Sequence, residues 1–201
     1  MSDGDLDQRV LAHLKAGDTK QAVTETLRRL GPEVFGFLLG VLGDDDDADE
    51  VFSALSERLW QSLSKFQGRC SVRTWAYVLA RHEIGRYRRG ARRHTEGRVP
   101  ISELEELVAA VRTETRSALA SDKPRKLARL REELPADDRA LLVLRIDRKL
   151  GWNEIALAFG EHPEAFTDED QKRESARLRK RFQLLKQRLV ALARGRNEQS
   201  R

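Results

Sequence analysis

The chain has 201 residues, of which 39% are apolar and 35% charged, and a formal net charge of +5. That length suits one large or two small domains, and that composition excludes a membrane-embedded protein while leaving enough apolar surface for modest cores. The single cysteine, Cys70, excludes an internal disulfide and any cysteine-based metal site, and fits a cytoplasmic setting. The longest near-apolar run, Val34 to Gly43, has ten residues, against the roughly 20 that a membrane-spanning helix needs. The acidic start MSDGDLDQ has no apolar signal core, so neither export nor membrane insertion is expected.

In chain order the sequence reads as helical almost throughout, because no long apolar-polar alternation occurs. Leu6, Val10, Leu11 and Leu14 recur at helical spacing, and Gly17 ends that pattern. Asp18 can cap a helix carrying Ala22, Val23, Leu27 and Leu30, which Gly31-Pro32 is expected to break. Val34, Phe35, Leu38, Leu39 and Leu42 mark another apolar stripe. The acid run at 44–47 suits a loop and helix start, where carboxylates favour the positive end of the helix dipole. The helix that follows bears Val51, Phe52, Leu55, Leu59, Leu63 and Phe66, and another runs from Ser71 to about Gly90. Ser102 to Ala120 is amphipathic, and Ser121-Asp122-Lys123-Pro124 interrupts it.

The last third starts at Leu134-Pro135-Ala136-Asp137-Asp138, a proline and acids suited to a helix N-terminus. Lys149-Leu150-Gly151 turns the chain, and Glu154 can return to the Gly151 nitrogen as half a capping box. A short helix, Asn153 to Phe159, is expected to end at Gly160 with a left-handed cap. A long basic helix then runs from about Thr167 to Arg194, with Leu178, Phe182, Leu185, Leu189 and Leu192 as its seam. Helix, short helix, long basic helix is the order of a helix-turn-helix DNA reader. The fold class is therefore all-α, with two small helical domains at 1–97 and 131–201 joined by a partly helical linker at 98–130.

Charge is unevenly spread. Residues 44–50 hold six acids and no base, 79–98 hold seven Arg and two Glu, and 171–201 hold eleven Lys/Arg and two Glu. Two basic segments in a mixed chain point to two contacts with a polyanion. Enzyme signals are poor: there is no phosphate-binding glycine loop, no H-E-x-x-H and no glycine-flanked nucleophilic serine. His82 and His94 are twelve residues apart with no supporting Cys/His spacing. The expectation is a non-enzyme without cofactor or metal.

Val72-Arg73-Thr74-Trp75-Ala76-Tyr77 followed by Ala80-Arg81-His82 closely resembles a signature of bacterial RNA polymerase sigma factors. Leu134-Pro135, Arg139, Leu141 to Arg145, Gly151 to Ala156 and Phe159-Gly160 resemble that family's C-terminal helix-turn-helix domain. Leu178 to Phe182 and Lys186 to Leu189 are similar to its recognition helix. The two blocks, about 18–93 and 134–194, follow the family's order and resemble its extracytoplasmic-function group, which has only these two conserved domains.

The resemblance implies core RNA polymerase and promoter DNA as partners, with an anti-sigma factor as a further candidate. It implies that Asp49, Glu50, Arg58 and Trp60 contact the polymerase. The turn at Phe66 and Gln67, with Arg73, His82, Arg86, Arg88 and Arg89, would bind the opened −10 strand. Arg173, Arg177, Arg179, Lys180 and Arg181 would bind the −35 element. The chain departs from the family pattern by an insert of seventeen residues, Glu161 to Arg177, which is expected to extend the recognition helix backwards. Its acids Asp168, Glu169 and Asp170 would then sit where bases are read. The competing class is a helix-turn-helix regulator whose N-terminal helical domain binds a protein partner.

Overall fold

The computed structural model describes residues 3–90, 102–120, 133–160 and 166–199, and among them there are helices and no strand. They fall into two compact units, Met1–Ser121 and Asp122–Arg201. No helix among the described residues is long and apolar enough to cross a membrane.

The first unit contains α1 (Asp3–Lys15), α2 (Thr19–Leu42), α3 (Asp45–Ser62), α4 (Val72–Arg88) and α5 (Ser102–Ala120). α2 is its centre and packs against the other four. Local chemistry sets the ends. Asp18 caps α2 by accepting from the Gln21 N–H at 2.9 Å, and Asp44 caps α3 by accepting from the Asp46 and Asp47 N–H groups at 2.9 Å. Gly17 and Gly43 both stand at φ 76°, the left-handed conformation in which a helix turns off cheaply. α4 is started from two sides: Ser71 Oγ accepts from the Thr74 N–H at 3.0 Å, and Asp7 Oδ1 of α1 accepts from the Val72 N–H at 2.8 Å.

Gly31-Pro32 does not break the chain; α2 runs through it, with Pro32 inside. An interior proline costs about 3 kcal/mol. Val34, Phe35, Phe37, Leu38 and Val41 are buried one after another downstream, and burial stabilises by roughly 1.5–3 kcal/mol for each large side chain. Packing of the far half of the helix therefore outweighs the local defect. Gly31 has its own reason to be glycine. A Cβ there would lie 2.9 Å from Val111 Cγ1 and 3.6 Å from the Phe52 ring, so the small residue lets α5 approach the helix backbone.

That approach changes the reading of 98–130 as a connector. Ser102–Ala120 is a helix of the first unit, with Leu104, Val108 and Val111 buried against α2. Residues 121–132 lie outside the described residues.

The second unit has α6 (Ala136–Leu142), a π-helical turn (Val143–Asp147), α7 (Trp152–Phe159) and α8 (Asp168–Gln199). Lys149, at φ 57°, makes the turn between them, and Glu154 Oε2 accepts from the Gly151 N–H at 2.7 Å to start α7. Gly160 is extended, at φ −69° and ψ 143°, and is not the left-handed cap expected. It is needed for room: a Cβ would stand 2.7 Å from the Phe166 ring. Thr167 and Asp170 form a reciprocal cap at the start of α8. Thr167 Oγ1 accepts from the Asp170 N–H at 3.1 Å, and Asp170 Oδ2 accepts from the Thr167 N–H at 3.2 Å. The core joins Leu141, Leu144, Leu150 and Ile155 to Leu178, Phe182 and Leu185 of α8.

Candidate nucleic-acid interface

In the first unit, His82, Arg86 and Arg89 follow one another at steps of four and three, the spacing that keeps side chains on one side of a helix. Arg88 and Arg89 are exposed at the C-terminal end of α4, where a cation is favoured by the helix dipole. Arg86 is 42% exposed and its Nη1 lies 3.7 Å from Glu83 Oε1. Glu83 is itself buried. Burial raises its carboxyl above the ordinary range, against the opposing pull of Arg86, Arg58 and His82.

The turn before α4 is divided in its roles. Phe66 is buried, with its ring 6.0 Å from that of Trp75, so it is part of the packing beneath the turn. Gln67 is exposed beside Gly68, whose φ of 70° makes the bend. Arg73 faces inward. It donates to Glu33 Oε1 through Nε at 2.9 Å and Nη2 at 2.5 Å, and the Tyr77 hydroxyl donates to the same oxygen at 2.6 Å. Arg73 thus fastens α4 to α2.

The four residues expected to meet the polymerase do not share one face of α3. Asp49 and Trp60 lie eleven residues apart, about three turns, and so fall on the same side. Arg58 lies nine residues from Asp49, about two and a half turns, and faces the α4 side, where it acts on Glu83. Glu50 is exposed on the side where Tyr87 donates its hydroxyl to Asp47. Asp47 holds that proton on the phenol, and with help from Glu50 and Asp44 pushes the Tyr87 pKa up to about 12.

Asp49 is engaged by α5. Arg112 Nε lies 3.2 Å and Arg116 Nη2 2.9 Å from its Oδ1. Arg112 Nη2 also donates to the Asp49 carbonyl at 2.5 Å and to Ser53 Oγ. Arg116 Nε reaches Asp45 at 3.5 Å. The hydrogen bond that Arg116 donates to Asp49 raises the Arg116 pKa further. Beneath the two guanidiniums lie two rings: Arg112 is 6.0 Å over Phe52 and Arg116 5.3 Å over Phe35, within the range of a cation–π attraction. The sequence reading did not single out Arg112, Arg116 or Glu33. The available signal was two arginines four residues apart on an amphipathic segment, in a chain with an acid run at 44–50.

In the second unit, Ser175, Leu178, Phe182 and Leu185 are the buried seam of α8. Ser175 Oγ donates to the Trp152 carbonyl at 3.1 Å, and Gln171 Nε2 donates to the Asn153 carbonyl at 3.1 Å, which sets α8 against the start of α7. Trp152 meets Phe182 edge-on at 5.5 Å, with Arg145 and Arg179 over its ring at 4.9 and 5.9 Å. Of the cations expected on DNA, Arg181 pairs with Asp138 of α6 at 2.7 Å. Arg173 and Arg177 pair locally with Asp170 and Glu174 at 2.5 Å each, and both remain more than half exposed. Lys180 is exposed with no ion-pair partner among the described residues. The acids of the insert act at the helix start: Asp170 forms the cap, and the bonds from Thr167 lower its pKa.

The first unit is thus four helices packed around α2, with exposed arginines at the end of α4. Residues 26–94 match the Sigma-70 region 2 family, a match that spans most of α2, all of α3 and all of α4. It supports a sigma-70 type factor, a non-enzymatic protein that acts in promoter recognition and melting with core RNA polymerase and promoter DNA. No curated protein and no solved structure matches the chain.

Proposed function

We propose that the chain is a sigma factor of the extracytoplasmic-function type. Its first unit binds core RNA polymerase through α3 and holds the opened −10 strand against the C-terminal end of α4. Its second unit reads the −35 element as a helix-turn-helix, with α8 as the recognition helix. The observation that carries this reading is the Sigma-70 region 2 match, which ends four residues after Gly90 and so includes the exposed Arg88 and Arg89.

The physical division of labour follows. Extruding a base from a duplex costs a few kcal/mol, which a free protein of this size recovers poorly, so melting belongs to the complex with polymerase. Arg86, Arg88 and Arg89 then supply charge along the separated strand, and Gln67 supplies a polar edge at the turn. On the second unit, Arg173, Arg177, Arg179 and Lys180 meet phosphates or guanine edges, while Arg181 braces α8 on α6. The free chain should bind duplex DNA only with the roughly 10⁻⁴–10⁻⁶ M affinity of nonspecific electrostatic contact.

The test is co-elution with core polymerase, followed by transcription from a pool of randomised promoters. Replacing Arg88 and Arg89 with Ala together should leave co-elution intact and abolish most open-complex formation, read by permanganate reactivity of unpaired thymines. A chain that never co-elutes with core polymerase, and instead binds one duplex sequence tightly on its own, would establish the second reading: a helix-turn-helix regulator with an N-terminal protein-interaction domain. The engagement of Asp49 and Ser53 by α5 is the observation in favour of that alternative.

A further inference from the structure

At the start of α3, Asp45, Asp49 and Ser53 line one edge of a seat whose floor is the Phe35 and Phe52 rings. Gly31 leaves that floor open to a neighbouring helix. The seat takes an amphipathic helix that presents a small apolar ridge and two guanidiniums one turn apart. α5 meets each requirement: Val108 and Val111 form the ridge, and Arg112 and Arg116 are the cations.

We propose that α5 is a built-in competitor for the polymerase-docking surface, so that core polymerase binds the first unit only after α5 has lifted from α3. The proposal rests on the reading of α3 as the docking helix, and it deepens that reading. Asp49 and Trp60 share a side of α3, and Asp49 is held by two arginines of the same chain. A polymerase segment that engages Asp49 must displace both. The partner that does so has the chemistry of α5 itself, a helix with an apolar face and cations at one-turn spacing.

The polar edge of the contact is suited to exchange. Its ion pairs are partly exposed: 20% for Arg112, 32% for Asp49, 35% for Arg116 and 72% for Asp45. Pairs of that kind contribute little to stability, and the exchange replaces them with equivalent pairs to the partner. α5 also lies outside residues 26–94, the segment that matches Sigma-70 region 2.

Two variants test this in the full chain against core polymerase. Arg112→Ala with Arg116→Ala removes the cations of α5 and leaves Asp49 in place; affinity for core polymerase should rise about fivefold, a change in line with loss of two partly exposed ion pairs. Gly31→Cys with Val111→Cys, in a Cys70→Ser background, puts two thiols where the backbone and side chain already touch. Oxidised, this chain should lose at least tenfold in affinity, and reduction should restore it within the same sample, which separates locking from misfolding. Unchanged or weaker binding by the arginine variant, together with an oxidised lock that binds like the reduced form, overturns the competitor while leaving the docking reading standing. If the wild type, the arginine variant and the reduced lock all fail to bind core polymerase, both readings fall. Binding by the arginine variant alone would support both.

Discussion

The two units use the same residue types in different ways. In the first, cations and acids far apart in sequence are joined: Arg73 to Glu33, Arg112 and Arg116 to Asp49, and the Val72 N–H to Asp7. In the second, Arg181 pairs with Asp138 across two helices, while Arg173 and Arg177 pair with acids three positions away on their own helix. A long-range pair in a partly buried place holds two helices together and takes the cation out of the binding surface. A local pair on an exposed helix face does neither, because a nucleic acid phosphate can replace the carboxylate at little cost. Charge density alone therefore overstates the binding surface of the first unit and describes that of the second more fairly.

The largest effect expected from this contrast is at Glu33. Its carboxylate receives Arg73 and the hydroxyl of the fully buried Tyr77. Glu33→Ala would remove the acceptor that both donors share, a loss of about 2–3 kcal/mol. On a domain of this size that corresponds to a fall in Tm of roughly 10 °C. Glu33→Gln, which keeps one acceptor oxygen, should recover about half of it, read by circular dichroism melts of both variants. If Glu33→Ala melts like the wild type, Arg73 is available to DNA after all and the distinction between the units weakens.

These particulars show which parts of the molecule can be read from the sequence. Helix starts are legible because their chemistry is local: Asp18, Asp44, Ser71 and the Pro135-Ala136-Asp137 start all act where they stand in the chain. Pro32 was misleading because its local penalty is outweighed by burial that only the tertiary structure supplies. Gly160 reads in sequence as a left-handed cap, whereas the structure has it extended, with a Cβ excluded by the ring of Phe166, six residues on. The candidate site was legible as a set of residue types and obscure as a surface. Nothing near Arg73 in sequence announces Glu33, and nothing near Asp49 announces α5. Residues 91–101, which include Arg93, lie outside the described residues, so that end of the basic run is not placed.

A smaller effect separates Arg181 from Arg177 within α8. Arg181→Ala uncouples α8 from α6 and leaves Asp138, 15% exposed, without its partner; about 1 kcal/mol of stability should go. Arg177→Ala removes an exposed local pair and should change stability by less than about 0.5 kcal/mol. Their DNA phenotypes should run the other way. Arg177→Ala should lower the salt dependence of binding by about one phosphate contact, whereas Arg181→Ala should leave that slope unchanged. Equally lowered slopes for the two variants would place both cations on the DNA and remove the distinction drawn between long-range and local pairs.

The smallest effect tests the one buried acid beside the candidate −10 surface. Glu83 is buried on α4, and desolvation raises its pKa above the ordinary carboxylate range despite Arg86, Arg58 and His82. A carboxyl whose folded pKa is raised favours folding in its protonated form. Its contribution is fully present below the unfolded pKa and is lost as pH rises through the folded one. Glu83→Gln keeps the shape and removes the ionisation. The variant should therefore melt above the wild type at pH 7, by roughly 1–3 °C, and the gap should close as pH falls towards 4. DNA binding should strengthen slightly at the same time, because Arg86 is released from its 3.7 Å partner. If the variant instead melts below the wild type at pH 7, the surrounding cations outweigh burial. Glu83 then belongs with Glu33 and Asp49, as another acid that withdraws an arginine from the surface to hold the first unit together.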